Sequence, residues 1–243
     1  MYRAEDIIEL MEEMRDDSQR KILMRFFKTG KGEYGEGDEF LGLKVPRTRE
    51  IVKAAKEKTG LDEIEKLLYC KWHEVRLCGF LLLVDRMNCA IRRKPKYPVE
   101  SSDEIAEFYL CHCRQANNWD LVDLSCPGII GQWLINSDAD RTVLDRLSES
   151  DNLWEQRISI VSNWRLIRED QYDDTTRIGE KLLSHPHDLI RKAVGWMLRE
   201  VGKRDTDILY CFLKQHHRSM SRTTLRYAIE KLPETERRYW LKL

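Results

Sequence analysis

The chain has 243 residues, 35% of them charged, and its 42 basic side chains balance 42 acidic ones, so the formal net charge is zero. A chain of this length can bury a substantial core, and no apolar run in it approaches the roughly 20 residues that a membrane-spanning helix needs. Glu5, Asp6, Glu9, Glu12 and Glu13 stand where a secretory signal would be apolar. Seven irregularly spaced cysteines do not make a disulfide framework, so a cytoplasmic protein is expected.

Apolar residues recur at helical spacing almost throughout and β-branched alternation is scarce, which predicts an all-α protein. The first helices are expected over 3–16 and 18–29. Gly30-Lys31-Gly32-Glu33-Tyr34-Gly35-Glu36-Gly37-Asp38 follows and formally contains GxGxxG. It comes after a helix instead of a strand and has acidic neighbours, so it reads as a flexible loop and not as a nucleotide fingerprint. Pro46 suits the first turn of the next helix, predicted over 47–58 and followed by helices over 61–70 and 73–87. Ile91-Arg92-Arg93-Lys94-Pro95-Lys96-Tyr97-Pro98 then interrupts the pattern and reads as an inserted loop.

Helices over 102–116 and 118–135 come next, with Pro127 expected to kink or end the second. Cys111-His112-Cys113 has the residue types of a metal site, but three consecutive helical positions point in different directions and cannot converge on one ion. Buried cysteines around an exposed histidine are expected instead. The remaining helices are predicted over 140–148, 152–168, 173–183, 187–202, 206–216, 220–231 and 234–242. Ser102-Asp103, Asp138 or Asp140, and Asp151-Asn152 mark helix starts, and His185-Pro186-His187 marks a turn between helices.

A repeat runs through these elements. Arg76, Asp123, Arg157, Arg191 and Arg226 occupy one slot, at intervals of 47, 34, 34 and 35 residues, and the inserted loop accounts for the longer first interval. Two positions after each slot the residue is small: Cys78, Ser125, Ser159, Ala193, Ala228. Helices alternating with a period near 35 residues read as an α-solenoid of paired helices with a concave groove. The expected organisation is a single repeat domain over 1–243, with N-terminal helices and the Gly-rich loop in 1–45 and stacked helix pairs in 46–243.

Asp123 breaks the rule of its own slot. Trp119 lies four residues before it and so shares its helical face. Two accounts of this pair follow from the pattern alone. In one, Asp123 forms an inter-repeat salt bridge with Arg157 and Trp119 is core. In the other, tryptophan, carboxylate and arginine form a functional patch.

Asn118-Trp119-Asp120-Leu121-Val122-Asp123, Leu153-Trp154-Glu155-Gln156-Arg157 and the segment from Ile190 to Glu200 resemble the AlkD-like DNA alkylation repair glycosylases. Phe40-Leu41-Gly42-Leu43-Lys44-Val45-Pro46 is similar to the stretch after that family's N-terminal helices, so the likeness covers nearly the whole chain. The resemblance implies a HEAT-like solenoid that grips duplex DNA carrying alkylated purines. It implies hydrolysis of the N-glycosidic bond of N3- and N7-alkylated purines without base flipping, leaving an abasic site. Carried over by motif, Asp123 is the catalytic carboxylate, Trp119 and Trp196 contact the deoxyribose, and Arg157 holds the backbone. No metal or organic cofactor is expected, and a monomer is.

The charge distribution bears on the same question. Residues 185–243 carry 13 basic against seven acidic side chains, so the basic excess lies in the last quarter. Such asymmetry fits a surface that meets a polyanion, and it equally fits a solvated mixed-charge face. Arg157, Arg191, Lys192, Lys203 and Arg204 are the expected phosphate contacts. Trp196 falls five positions after Arg191, about 140° around an ideal helix, so periodicity alone leaves it in either groove or core. Two rivals are a non-catalytic binder of distorted DNA and a protein–protein scaffold, the latter favoured by zero net charge.

Overall fold

A computed structural model describes residues 2–243. Among the described residues there are sixteen α-helices, and the only β feature is an isolated bridge between Glu39 and Trp72. No helix among them is long and apolar enough to cross a membrane, and no disulfide is present. All fourteen predicted segments are helical; those over 118–135 and 152–168 each hold two α-helices, and the one over 102–116 ends in a 3-10 turn. The chain divides into two compact units, the first ending at Ser125 and the second beginning at Cys126.

The first unit holds α1 (Ala4–Glu13), α2 (Asp17–Phe26), α3 (Val45–Ala55), α4 (Leu61–Leu68), α5 (His73–Ala90), α6 (Ser102–His112) and most of α7 (Trp119–Cys126). Helix α5 is buried on almost every face, with His73, Glu74, Arg76 and Arg86 enclosed beside its apolar residues, and α3, α4 and α6 pack against it. Helix α2 is the opposite case. None of its residues is buried, and Ile22 and Phe26 are 61% and 59% exposed. Ser101 caps α6 by accepting from Glu104 N at 3.2 Å while the Glu104 carboxylate accepts from Ser101 N at 2.8 Å. This reciprocal capping box makes Ser101 the N-cap, so the helix begins at Ser102, where the Ser102-Asp103 signal put it.

Cys111, His112 and Cys113 diverge, as consecutive helical positions must, but not as expected in burial. Cys111 is exposed, Cys113 is buried, and half-buried His112 packs on Phe108 at 4.5 Å between ring centroids. Residues 91–98 form the predicted loop, tied down by Tyr97 Oη donating to Asp85 Oδ2 at 2.7 Å.

The second unit holds α8 (Gln132–Asn136), α9 (Thr142–Ser148), α10 (Leu153–Val161), α11 (Asn163–Ile167), α12 (Asp173–Lys181), α13 (Asp188–Arg204), α14 (Thr206–His216), α15 (Arg222–Ala228) and α16 (Glu234–Lys242). Helix α13 is its centre, contacted by α10, α14 and α15. A Cβ on Gly195 would lie 2.5 Å from Tyr227 Cβ and 2.6 Å from Thr224 O, so the absence of a side chain there lets α15 pack closely. Arg177 and Lys181 of α12 pair with Asp145 of α9, tying those two helices together. Asn152 caps α10 by accepting from Trp154 N at 2.9 Å.

Pro127 neither ends nor sharply breaks its segment: residues Pro127–Gly131 form a π-helical turn leading into α8. Proline has no N–H to donate and its ring crowds the carbonyl four residues back. Widening the turn relieves that crowding while the helix continues. The small residues of the repeat are all buried, with Cys78, Ser125 and Ser159 at 0%, Ala193 at 0% and Ala228 at 1% exposure.

Candidate active site on helix α7

The site's first wall is the segment between α2 and α3. Glu74, in the first turn of α5, accepts hydrogen bonds from Leu41 N at 2.9 Å, Gly42 N at 2.8 Å and Leu43 N at 3.0 Å. One buried carboxylate thus satisfies three backbone donors that no secondary structure would satisfy. Gly42 has φ +97, and a Cβ there would lie 2.1 Å from Asp16 O, so the Phe40-Leu41-Gly42-Leu43 turn requires glycine. Leu41 O accepts from Asp16 N at 3.0 Å, fastening the start of α2 to the same turn.

Beneath that wall lies a buried cluster of charge. His73, the first residue of α5, is 1% exposed, with Nδ1 2.7 Å from Asp38 Oδ2 and Nε2 2.9 Å from Asp120 Oδ2. Both ring nitrogens face carboxylate oxygens, a pair of acceptors that only the doubly protonated imidazolium can serve with a donor at each end. Burial by itself would depress its pKa, but the Asp120 and Asp38 carboxylates outweigh burial and raise it to about 9. Burial would likewise push Asp38 up; its bond to the imidazolium and the Arg76 guanidinium hold it below the usual carboxylate range. Arg76 pairs with Asp38 and donates to Asn117 Oδ1 at 3.1 Å and to the Cys70 and Lys71 carbonyls, both at 2.9 Å. Two cations and two carboxylates leave the cluster neutral.

Above it the rings stack in series. His73 lies 4.3 Å from Phe40, Phe40 lies 5.2 Å from Phe27, and Phe27 lies 5.4 Å from Trp119, each pair stacked. Phe26 meets Trp119 edge-on at 5.9 Å. These rings, with Leu43, Leu77 and Leu124, line a cavity of about 540 Å³ whose wall also includes Asp120 and Asp123. Trp119 and Asp123 are half-buried and border the same cavity, so the tryptophan is not ordinary core. Helix α7 is anchored near both ends, by Asp120 to His73 and by Ser125 Oγ, 3.1 Å from Tyr109 Oη of α6.

The slot arginines explain why Asp123 is exceptional. Arg76 donates to the carbonyl of Cys70, and Arg191 Nε to that of His185 at 2.8 Å, in each case six residues back on the turn preceding the helix. Arg157, 5% exposed, donates through Nη1 to Leu189 O at 2.6 Å. Arg76 and Arg191 thus hold the turn before their own helix, and Arg157 holds the first turn of α13. A carboxylate cannot donate to a carbonyl, so Asp123 does not perform that task.

In the second unit Trp196 is half-buried while Ala193, Val194, Gly195, Met197 and Leu198 around it are buried. Lys192 pairs with Asp188 at 2.7 Å, Lys203 with Glu200 at 2.8 Å and Arg204 with Asp170 at 2.7 Å. His187 caps α13, accepting from Leu189 N at 3.2 Å, which makes His185-Pro186-His187 the turn that was expected. Sequence reasoning missed His73, Asp38 and Asp120. The available signal was Asp120, a charged residue enclosed between Trp119 and Asp123.

The DNA alkylation repair enzyme family matches residues 7–232, and the chain belongs to that family. Among solved structures, one described as a predicted DNA alkylation repair enzyme from Enterococcus faecalis has the same fold, with a TM-score of 0.72 at 17% identity. The match covers 90% of this chain and 97% of that one. No curated protein matches.

Proposed function

We propose that this protein is a monofunctional DNA glycosylase that hydrolyses the N-glycosidic bond of N3- and N7-alkylated purines in duplex DNA. It releases the base and leaves an abasic site. The observation that carries the reading is the pairing of Trp119 and Asp123 on one face of α7, both half-buried and bordering one aromatic cavity. An alkylated purine is already cationic and departs as a neutral base, so general-acid help is hardly needed. The sugar gains oxocarbenium character, which a nearby carboxylate stabilises while it positions or deprotonates water. Indole faces suit apolar and cation-facing contact with that sugar.

The reaction proceeds without drawing the base into a pocket. A base-flipping enzyme reads the extruded base with hydrogen-bonding groups. Here two of the buried polar groups in the cavity wall are engaged elsewhere, Glu74 by three backbone amides and His73 by two carboxylates. Trp196 contributes to deoxyribose contact, and Arg157, Arg191, Lys192, Lys203 and Arg204 to the DNA backbone. The surface pairs of Lys192, Lys203 and Arg204 are weak enough to be exchanged for phosphate. The protein works as a cytoplasmic monomer without metal or organic cofactor.

Incubation with methylated duplex DNA tests this. Free 7-methylguanine or 3-methyladenine, with alkali-labile abasic sites in equal amount, is the expected result. Salt-sensitive DNA binding with no base release would instead identify a non-catalytic binder.

A further inference from the structure

Helix α7 is eight residues long, and its first turn carries Trp119 and Asp120 with Asp123 one turn on. Asp120 is held only through Oδ2, by His73 Nε2; its Oδ1 is buried with no hydrogen-bond partner. The other face of His73 is fixed by Asp38 on the Gly-rich loop, and its ring plane by Phe40. Trp119 rests on Phe27, which itself stacks on Phe40 and lies 5.1 Å from His73. The imidazolium therefore reaches Trp119 by two routes, the backbone of α7 through Asp120 and the ring stack through Phe27.

We propose that His73 is a positioning residue: clamped between Asp38 and Asp120, it fixes the rotation of α7 and thereby the directions of the Trp119 indole and the Asp123 carboxylate. Its functional consequence rests on the glycosylase reading. A neutral His73 can donate to only one of its two carboxylates, so loss of its proton releases either the loop or α7. The charged groups involved are Asp38 from the loop, Asp120 from α7 and Arg76 from α5. Asp123, Glu74 and Lys44 are the other charged groups of the cavity wall. The raised pKa of His73 places this release on the alkaline side, near pH 9.

The test compares wild type with His73→Gln and with His73→Gln/Asp120→Asn, in which no carboxylate on α7 is left buried without a cation. Base release is followed in single-turnover conditions from pH 6 to 10, well below each variant's unfolding temperature. In His73→Gln the rate per folded molecule should fall about 100-fold, the scale of a misplaced reacting group, while duplex affinity stays within about threefold. The wild-type rate should fall through the alkaline limb near pH 9, and both variants should lack that limb. A His73→Gln protein that is less stable but releases base at the wild-type rate, with the same limb, overturns the proposal.

A second readout needs no activity. The indole N–H resonance of Trp119, assigned by its loss in Trp119→Phe, should shift as His73 titrates in wild type and not in His73→Gln. If wild type releases no base, the glycosylase reading fails and this resonance alone decides the positioning role. A Trp119 resonance unmoved through the His73 titration overturns it.

Discussion

Replacing Glu74 tests whether one carboxylate organises the wall of the site. Its Oε1 accepts from Gly42 N and Leu43 N and its Oε2 from Leu41 N, and the residue is 2% exposed. Hydrogen bonds to a charged acceptor contribute about 1.5–3 kcal/mol each, and a buried donor left unsatisfied costs about 1–3 kcal/mol. Glu74→Gln keeps one oxygen and turns the other into a donor that faces a backbone N–H, so at most two of the three bonds survive, without their charge. The expected loss is about 2–4 kcal/mol. Glu74→Ala strands all three amides and should cost more, about 4 kcal/mol or above. With a urea dependence of about 2 kcal/mol/M, the middle of the usual range, the Gln variant should lower the unfolding midpoint by about 1–2 M. Hydrogen exchange at the amides of Leu41, Gly42 and Leu43 localises the effect, because they should lose protection before the amides of α5 do. A Gln variant within about 0.5 kcal/mol of wild type, the scale of a surface substitution, with those three amides still protected, would refute the reasoning.

The buried cluster makes stability depend on pH in two directions. His73 has its folded pKa raised from 6.5 to about 9, so its contribution is complete below pH 6.5 and lost as pH rises through 9; at about 1.4 kcal/mol per tenfold this is about 3 kcal/mol. Asp38 is held below its ordinary value, so its contribution is present above the usual carboxylate range and lost as pH falls through the depressed value. Denaturant unfolding between pH 3 and 10 should show a plateau with both limbs, and a flat response from pH 6.5 to 9.5 would contradict the imidazolium. Lys203→Ala and Arg204→Ala should each lower the slope of log affinity for duplex DNA against log salt by about 0.9, the value of one released phosphate contact. An unchanged slope would leave those residues to their partners Glu200 and Asp170.

The fold was legible because helical periodicity and caps are local. Asn152 caps α10 where expected, and the small residue two positions after each slot is buried every time. Pro127 was recognisable as a disturbance, but the π turn that follows it ends at Gly131, where a Cβ would lie 2.4 Å from Ser162 O, a close approach across 31 residues that no local pattern shows. The pairing of Trp119 with Asp123 was readable from their four-residue spacing. The cluster beneath it was not, because His73 meets Asp38 and Asp120 across 35 and 47 residues of chain. Arg157 and Arg191 were expected as phosphate contacts, and only the structure shows that they also donate to the Leu189 and His185 carbonyls.

The central claim is that Asp123 is the catalytic carboxylate. Single-turnover release of 7-methylguanine from methylated duplex DNA, measured for wild type and Asp123→Asn with duplex affinity determined alongside, addresses it most directly. Asparagine keeps the shape and removes the charge, so the rate should fall on the order of 100-fold or more, the scale of losing one electrostatic stabiliser of the transition state, while affinity is nearly unchanged. Undiminished release by Asp123→Asn would remove the carboxylate from the mechanism.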